Sequence, residues 1–148
     1  MIRQILKTLY LRDLNKLKEE ILLYNNEENI WKIDKQILNS SGNLCLHLIG
    51  NLNTYIGAEL GNTGYIRNRP EEFSCKYMPR LELIEGIDQT ISMLAKVVDT
   101  ITETQLQEDY KLRVLPQNTS TEYFLVHLAM HLSYHLGQVN YHRRLIDE

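Results

Sequence analysis

Five histidines lie in the chain, and three of them recur every fourth position in the run His127-Leu-Ala-Met-His131-Leu-Ser-Tyr-His135-Leu-Gly-Gln138. On a helix, residues four apart stack one turn above another, with Cβ atoms about 5–6 Å apart. Two imidazoles so placed can share one divalent ion, each through a nitrogen at ~2.0–2.1 Å for zinc. His131 and His135 form such a pair, and so do His127 and His131. His47, in the middle of the apolar run Leu44-Cys-Leu-His-Leu-Ile49, is the obvious partner from a second helix. A bundle core takes metal ligands from facing helices. The same spacing also fits hydrogen-bonded core histidines that bind nothing.

Other chemistries lack their residues. A zincin protease needs a glutamate directly after the first histidine as general base, and position 132 is leucine. Gly57, Gly61 and Gly64 do not have phosphate-loop or dinucleotide-loop spacing. The two cysteines, Cys45 and Cys75, form no C-x-x-C pair. Cys45 stands two residues from His47, about 200° around a helix, so it reads as a small core residue and not a ligand.

The formal net charge of −3 supplies no basic field for a phosphate backbone. Tight basic pairs such as Arg67/Arg69 and Arg143/Arg144 are too few for a nucleic-acid stripe, and the latter pair suits a last helical turn. No apolar run approaches ~18 residues, so no membrane span is expected. Arg3, Lys7, Arg12 and Asp13 interrupt the first apolar stretch, which argues against a signal peptide and for a cytoplasmic protein.

These side chains need helices to hold them. Leu6, Leu9, Leu14, Leu17, Ile21 and Tyr24 recur at three-to-five-residue spacing and predict an amphipathic helix over about residues 2–25, with a short turn around Trp31. A second helix starts at Ser40 or Ser41 and ends near Gly61, which suits a left-handed cap. Residues 61–79 read as a long loop that packs on the domain through its aromatics. A third helix follows Pro79, with Leu83, Ile84, Ile87, Ile91, Leu94 and Val98 as its stripe. Thr102-Glu-Thr-Gln105 opens a short helix, and residues 107–117 could hold a brief extended piece. Thr119-x-x-Glu122 is a capping box for the last helix, roughly 26 residues or ~39 Å long. The chain therefore reads as one all-α domain over residues 1–148, a four-helix bundle with a long loop between its second and third helices.

His131-Leu-Ser-Tyr-His135-Leu-Gly137-Gln138 resembles the signature of the DinB-like (YfiT-type) superfamily of metal-binding four-helix bundles, which is distinct from the DNA polymerase sharing that name. Asn43-Leu-Cys-Leu-His47-Leu-Ile-Gly50-Asn51-Leu, with Arg67-Asn-Arg69-Pro-Glu-Glu-Phe73 after it, is similar to an uncharacterised branch, so the resemblance spans essentially the whole chain. It implies His47, His131 and His135 as the ligands of a divalent metal, zinc or nickel foremost, with iron or manganese as alternatives. His127 has no ligand counterpart and is expected to line the pocket or pack. Asn51, Tyr134 and Gln138 are candidate pocket or supporting residues, and Gly137 fits a close helix approach. Arg67 and Arg69 are candidates for a substrate carboxylate or phosphate, provided that their loop folds back.

Three neutral imidazoles leave a divalent ion with open positions, the arrangement of a catalytic site. Bound water would be pulled toward a pKa of ~7, and a bound thiol would become a thiolate. The resemblance implies a metal-dependent enzyme on small molecules, either a thiol-dependent transferase using a low-molecular-weight thiol or a hydrolase. The alternative is a non-catalytic metal-binding module, acting as a homodimer in stress response or protein interaction. Its support is the lack of an obvious general base, Tyr134 and Glu59 being near the ligands only in sequence.

Overall fold

A computed structural model describes residues 1–148, and its order of elements follows from where apolar periodicity starts and stops. Helix α1 spans Ile2–Leu23 and buries Leu6, Tyr10, Leu14, Leu17 and Ile21, so Tyr10 and not Leu9 faces inward. It stops at Leu23 because Tyr24 turns extended. The Asp147 carboxylate then takes the next two amides, Asn25 N at 2.6 Å and Asn26 N at 3.1 Å. A 3₁₀ turn, Glu27–Trp31, follows under an Asn26 cap.

Helix α2 begins at Ser41 and runs as a regular α-helix to Leu52. Ser40 is its cap, accepting from Asn43 N at 3.2 Å. The helix continues through a wide π turn, Asn53–Ala58, and a final turn, Glu59–Gly61. The left-handed residue at its end is Asn62 (φ 49°), not the expected Gly61. Gly61 serves a different purpose: a Cβ there would lie 2.4 Å from Val97 Cγ2, so its bareness lets the helix carrying Val97 pack close.

The expected loop after Gly61 holds a helix of its own, α3, Arg69–Ser74. Asn68 caps it and Pro70 lies in its first turn, where a missing amide proton costs nothing. Asn43 on α2 ties it down, its Nδ2 donating to Glu72 O (2.9 Å) and Cys75 O (2.8 Å). Helix α4 is Arg80–Thr100, and α5 is Glu103–Gln107 with the Thr102/Gln105 capping box. Between α5 and the last helix there is no strand, only a single antiparallel bridge from Asp109 to Ser120. Helix α6 spans Thr121–Ile146. Its cap is Ser120, accepting from Tyr123 N at 3.1 Å, and the expected capping box on Thr119 does not form. Thr119 sits outside the helix, its carbonyl accepting from Tyr110 N.

The four long helices pack as an all-helical bundle. Both α1 and α2 lie against α4 and α6, which places α1 diagonally opposite α2. Twenty-five buried apolar residues fill the space between them. No helix is long and apolar enough to cross a membrane. Phe124 near the start of α6 meets Tyr55 near the end of α2 (5.6 Å), and His142 near the end of α6 is linked to Ser41 at the start of α2 through Tyr24. The two helices therefore run antiparallel, and their midpoints, where His47, His131 and His135 stand, come level.

Candidate metal centre

His47 enters from the buried face of α2 and is 8% exposed. His131 and His135, half-buried, enter from one face of α6. His131 Nε2 lies 3.2 Å from His47 Nε2 and 3.1 Å from His135 Nε2. One ligand atom from each of the three falls within 4.8 Å of the other two, a grouping that could hold a metal ion.

The far nitrogens fix which way these rings point. His47 Nδ1–H donates to Glu72 Oε1 at 3.1 Å, and a carboxylate can only accept. His135 Nδ1–H likewise donates to the Gln138 carbonyl, Oε1, at 2.7 Å. Both protons are thereby on Nδ1, and both Nε2 atoms present lone pairs to the same small space. One proton on His131 Nε2 satisfies only one of these lone pairs, whereas a cation satisfies all three nitrogens. His131 Nδ1 is buried without any partner. A set of three imidazole nitrogens suits a divalent transition-metal ion.

For His131 and His47, protonation does not compete near neutral pH. Burial lowers the His131 pKa to about 4, with further lowering from His135, His47 and His127 around it. Burial also lowers the His47 pKa, more than the neighbouring Glu72 raises it.

Glu72 was not legible as a site residue, because it falls in the stretch read as a loop. It is 6% exposed and is gripped by Arg67, whose Nε donates to Oε2 (2.8 Å) and Nη2 to Oε1 (2.9 Å). The signal that could have found it is Asn68-Arg-Pro-Glu71, a cap and a first-turn proline that announce a helix just ahead of Glu72. Gly50 makes the room: a Cβ there would lie 1.9 Å from Glu72 Oε2. Phe73 packs its ring 5.0 Å from that of His47.

The remaining candidates divide. The loop does fold back, bringing Arg67 Nη2 to 3.3 Å from His47 Nδ1, but its guanidinium fork is engaged by Glu72. Arg69 lies over the Phe73 ring at 5.3 Å, one layer behind His47. Gln138 touches His135 directly. Tyr134 is exposed, with its ring 5.3 Å from that of His135. Asn51 is buried one turn past His47, and its Oδ1 has no partner. His127 stands outside the three and stacks on Phe124 (5.9 Å). Gly137 is corrected: nothing lies within 4 Å of a Cβ placed there, so it marks no close helix approach. Cys45 is fully buried, and burial pushes its thiol up to about 12, consistent with a core role.

A family model described as a protein of unknown function (DUF1572) matches residues 3–148. Neither a curated protein nor a solved structure matches the chain.

Proposed function

The chain belongs to the DUF1572 family, and from that premise we propose that it is a DinB-like metal-dependent enzyme acting on small molecules through His47, His131 and His135. The observation that carries this reading is the convergence of three Nε2 atoms whose far nitrogens are oriented by Glu72 and Gln138. Such outer partners raise ligand basicity and fix the tautomer. A divalent ion held there would keep open positions and turn a bound water or low-molecular-weight thiol into hydroxide or thiolate near neutral pH. Glu72, already bound to Arg67 and His47, orients a ligand and is not free to move a proton. A thiol, with a free pKa of about 8.5, gives its proton to solvent far more readily than water does and so has less need of a protein base, which favours thiol transfer over hydrolysis.

The test is elemental analysis of untagged protein prepared without chelator. Near one metal per chain is expected, lost in His47→Ala, His131→Ala and His135→Ala and kept in His127→Ala. Cobalt(II)-substituted protein titrated with a low-mass thiol should then develop a sulfur-to-cobalt charge-transfer band. Absence of metal, with no uptake of zinc, nickel or manganese, would overturn the metal centre; a metal centre that never takes thiol would overturn the transferase reading.

A further inference from the structure

Three rings share the cluster, but only two of them are held from behind. His47 Nδ1 bonds Glu72 and His135 Nδ1 bonds Gln138, whereas His131 Nδ1 is buried with no partner. A second buried atom on α2 is in the same position. Asn51 is 7% exposed, and its Oδ1 also has no partner.

The register of α2 against α6 brings these two side chains to one level. His47 meets His131 at 3.2 Å, and the rings of Tyr55 and Phe124 meet at 5.6 Å. Asn51 lies four residues after His47 and four before Tyr55, so it falls between these contacts on the same side of α2. Helical side chains lean toward the N-terminus of their own helix. Because the two helices are antiparallel, Asn51 leans back toward His47 while His131 leans toward Leu128 and Phe124. The two converge on one gap between the helices from opposite ends. His127, the other polar side chain of α6 at this level, stacks on Phe124.

The state of the His131 ring explains why no bond joins them. His47 and His135 carry their protons on Nδ1, so without an ion the proton of neutral His131 belongs on Nε2, between their lone pairs. Its Nδ1 is then an acceptor facing the gap, as Asn51 Oδ1 is, and two acceptors cannot bond each other. An ion that takes all three Nε2 atoms reverses this. The Nε2–H bond breaks and its proton leaves to solvent, an N–H forms at Nδ1 with a proton from solvent, and the ring stays neutral. Nδ1 is now a donor opposite a buried carbonyl oxygen.

We propose that Asn51 is the third outer partner of the metal centre: metal uptake moves the His131 proton from Nε2 to Nδ1, where the Asn51 carbonyl oxygen accepts it. This deepens the metal-centre reading and rests on it. Asn51 is a positioning residue, which aims a ligand ring and touches neither ion nor substrate.

The experiment follows the imidazole nitrogen-15 resonances of histidine-labelled protein without metal and with zinc, beside zinc affinities from chelator competition. In the parent, His131 should change from Nε2–H to Nδ1–H on zinc binding, while His47 and His135 stay Nδ1–H throughout. Asn51→Leu removes the acceptor at similar volume and should bind zinc about 10–100-fold more weakly, the usual cost of losing such a partner. The urea midpoint of its metal-free form should not fall, since an unpaired buried oxygen is removed. Asn51→Asp keeps an acceptor in place and should bind zinc at least as tightly as the parent. A residue that only fills space gives another pattern, with zinc affinity unchanged in Asn51→Leu. That result, or His131 still Nε2–H in zinc-loaded parent protein, would overturn the proposal. Should Asn51→Leu not fold, Asn51→Asp decides, parental zinc affinity supporting the proposal and about a tenfold loss overturning it. No zinc uptake by the parent would sink the metal centre itself, and the proton switch with it.

Discussion

Glu72 Oε1 accepts from His47 Nδ1 at 3.1 Å while Arg67 holds both oxygens of the same carboxylate. The carboxylate is a hinge between a half-buried cation and a candidate ligand, and its charge matters to both. Glu72→Gln should lower metal affinity about 10–100-fold, the usual cost of losing such a partner. It should also destabilise the metal-free fold, by less than the ~3–5 kcal/mol of breaking a fully buried pair, because Arg67 is only half-buried. Chelator competition and urea titration read the two effects separately. An unchanged metal affinity would show that Glu72 serves only Arg67.

Two glycines in the helices should respond to the same substitution with opposite signs. Gly50→Ala drives a methyl into the space of Glu72 Oε2, which is pinned by Arg67 and cannot swing away without losing those bonds. Overpacking of this kind costs about 1–3 kcal/mol, and the variant should also bind metal more weakly. Gly137→Ala meets nothing within 4 Å on an exposed helix face and should gain about 0.5–1 kcal/mol from helix propensity. Denaturation midpoints of the two variants moving in the same direction would contradict this assignment.

His142 should make stability fall in mild acid. Burial lowers its pKa below the usual value, more than the bond to Lys32 O raises it. The unfolded chain, with its histidines near ~6.5, therefore binds more protons than the folded one in the interval just below that value. The contribution is fully present above pH ~6.5 and is lost as pH drops through the folded pKa. In metal-free protein, His142→Gln should flatten the decline of the urea midpoint between pH 7 and pH 5. Parallel declines in parent and variant would refute it.

Tyr24→Phe should be costly for its single oxygen. That hydroxyl joins Ser41 Oγ (2.7 Å) to His142 Nδ1 (2.6 Å) in a buried chain, and its loss leaves the ring nitrogen without a partner. An unsatisfied buried group costs about 1–3 kcal/mol. Urea titration with no shift in midpoint would mean that water enters to replace the hydroxyl.

The four long helices and the pair His131 and His135 were legible because both signals are periodic, and His47 because it interrupts an apolar run. Leu14, Leu17 and Ile21 recur with the helical turn, and His131 and His135 are one turn apart whatever the surroundings. What escaped depends on partners distant in the chain. Helix α3 is too short for periodicity to register, and it is secured by Asn43, 29 and 32 residues away from the carbonyls it holds. Thr119 and Ser120 are equally good caps by type, and the bridge from Asp109 accompanies the choice of Ser120. Gly50 and Gly137 look alike in sequence, and only the neighbour across the gap distinguishes a packing glycine from an open one.

The antiparallel pairing of α2 and α6 brings together histidines 84 positions apart. Closing a loop of that length is entropically expensive, and contacts of such separation form late in folding. As the chain is synthesised, His47 is made long before the two histidines it must meet, and α6 is the last of the six helices to appear. An ion that needs all three nitrogens would then act as a proofreader, held tightly only once α6 has docked in register.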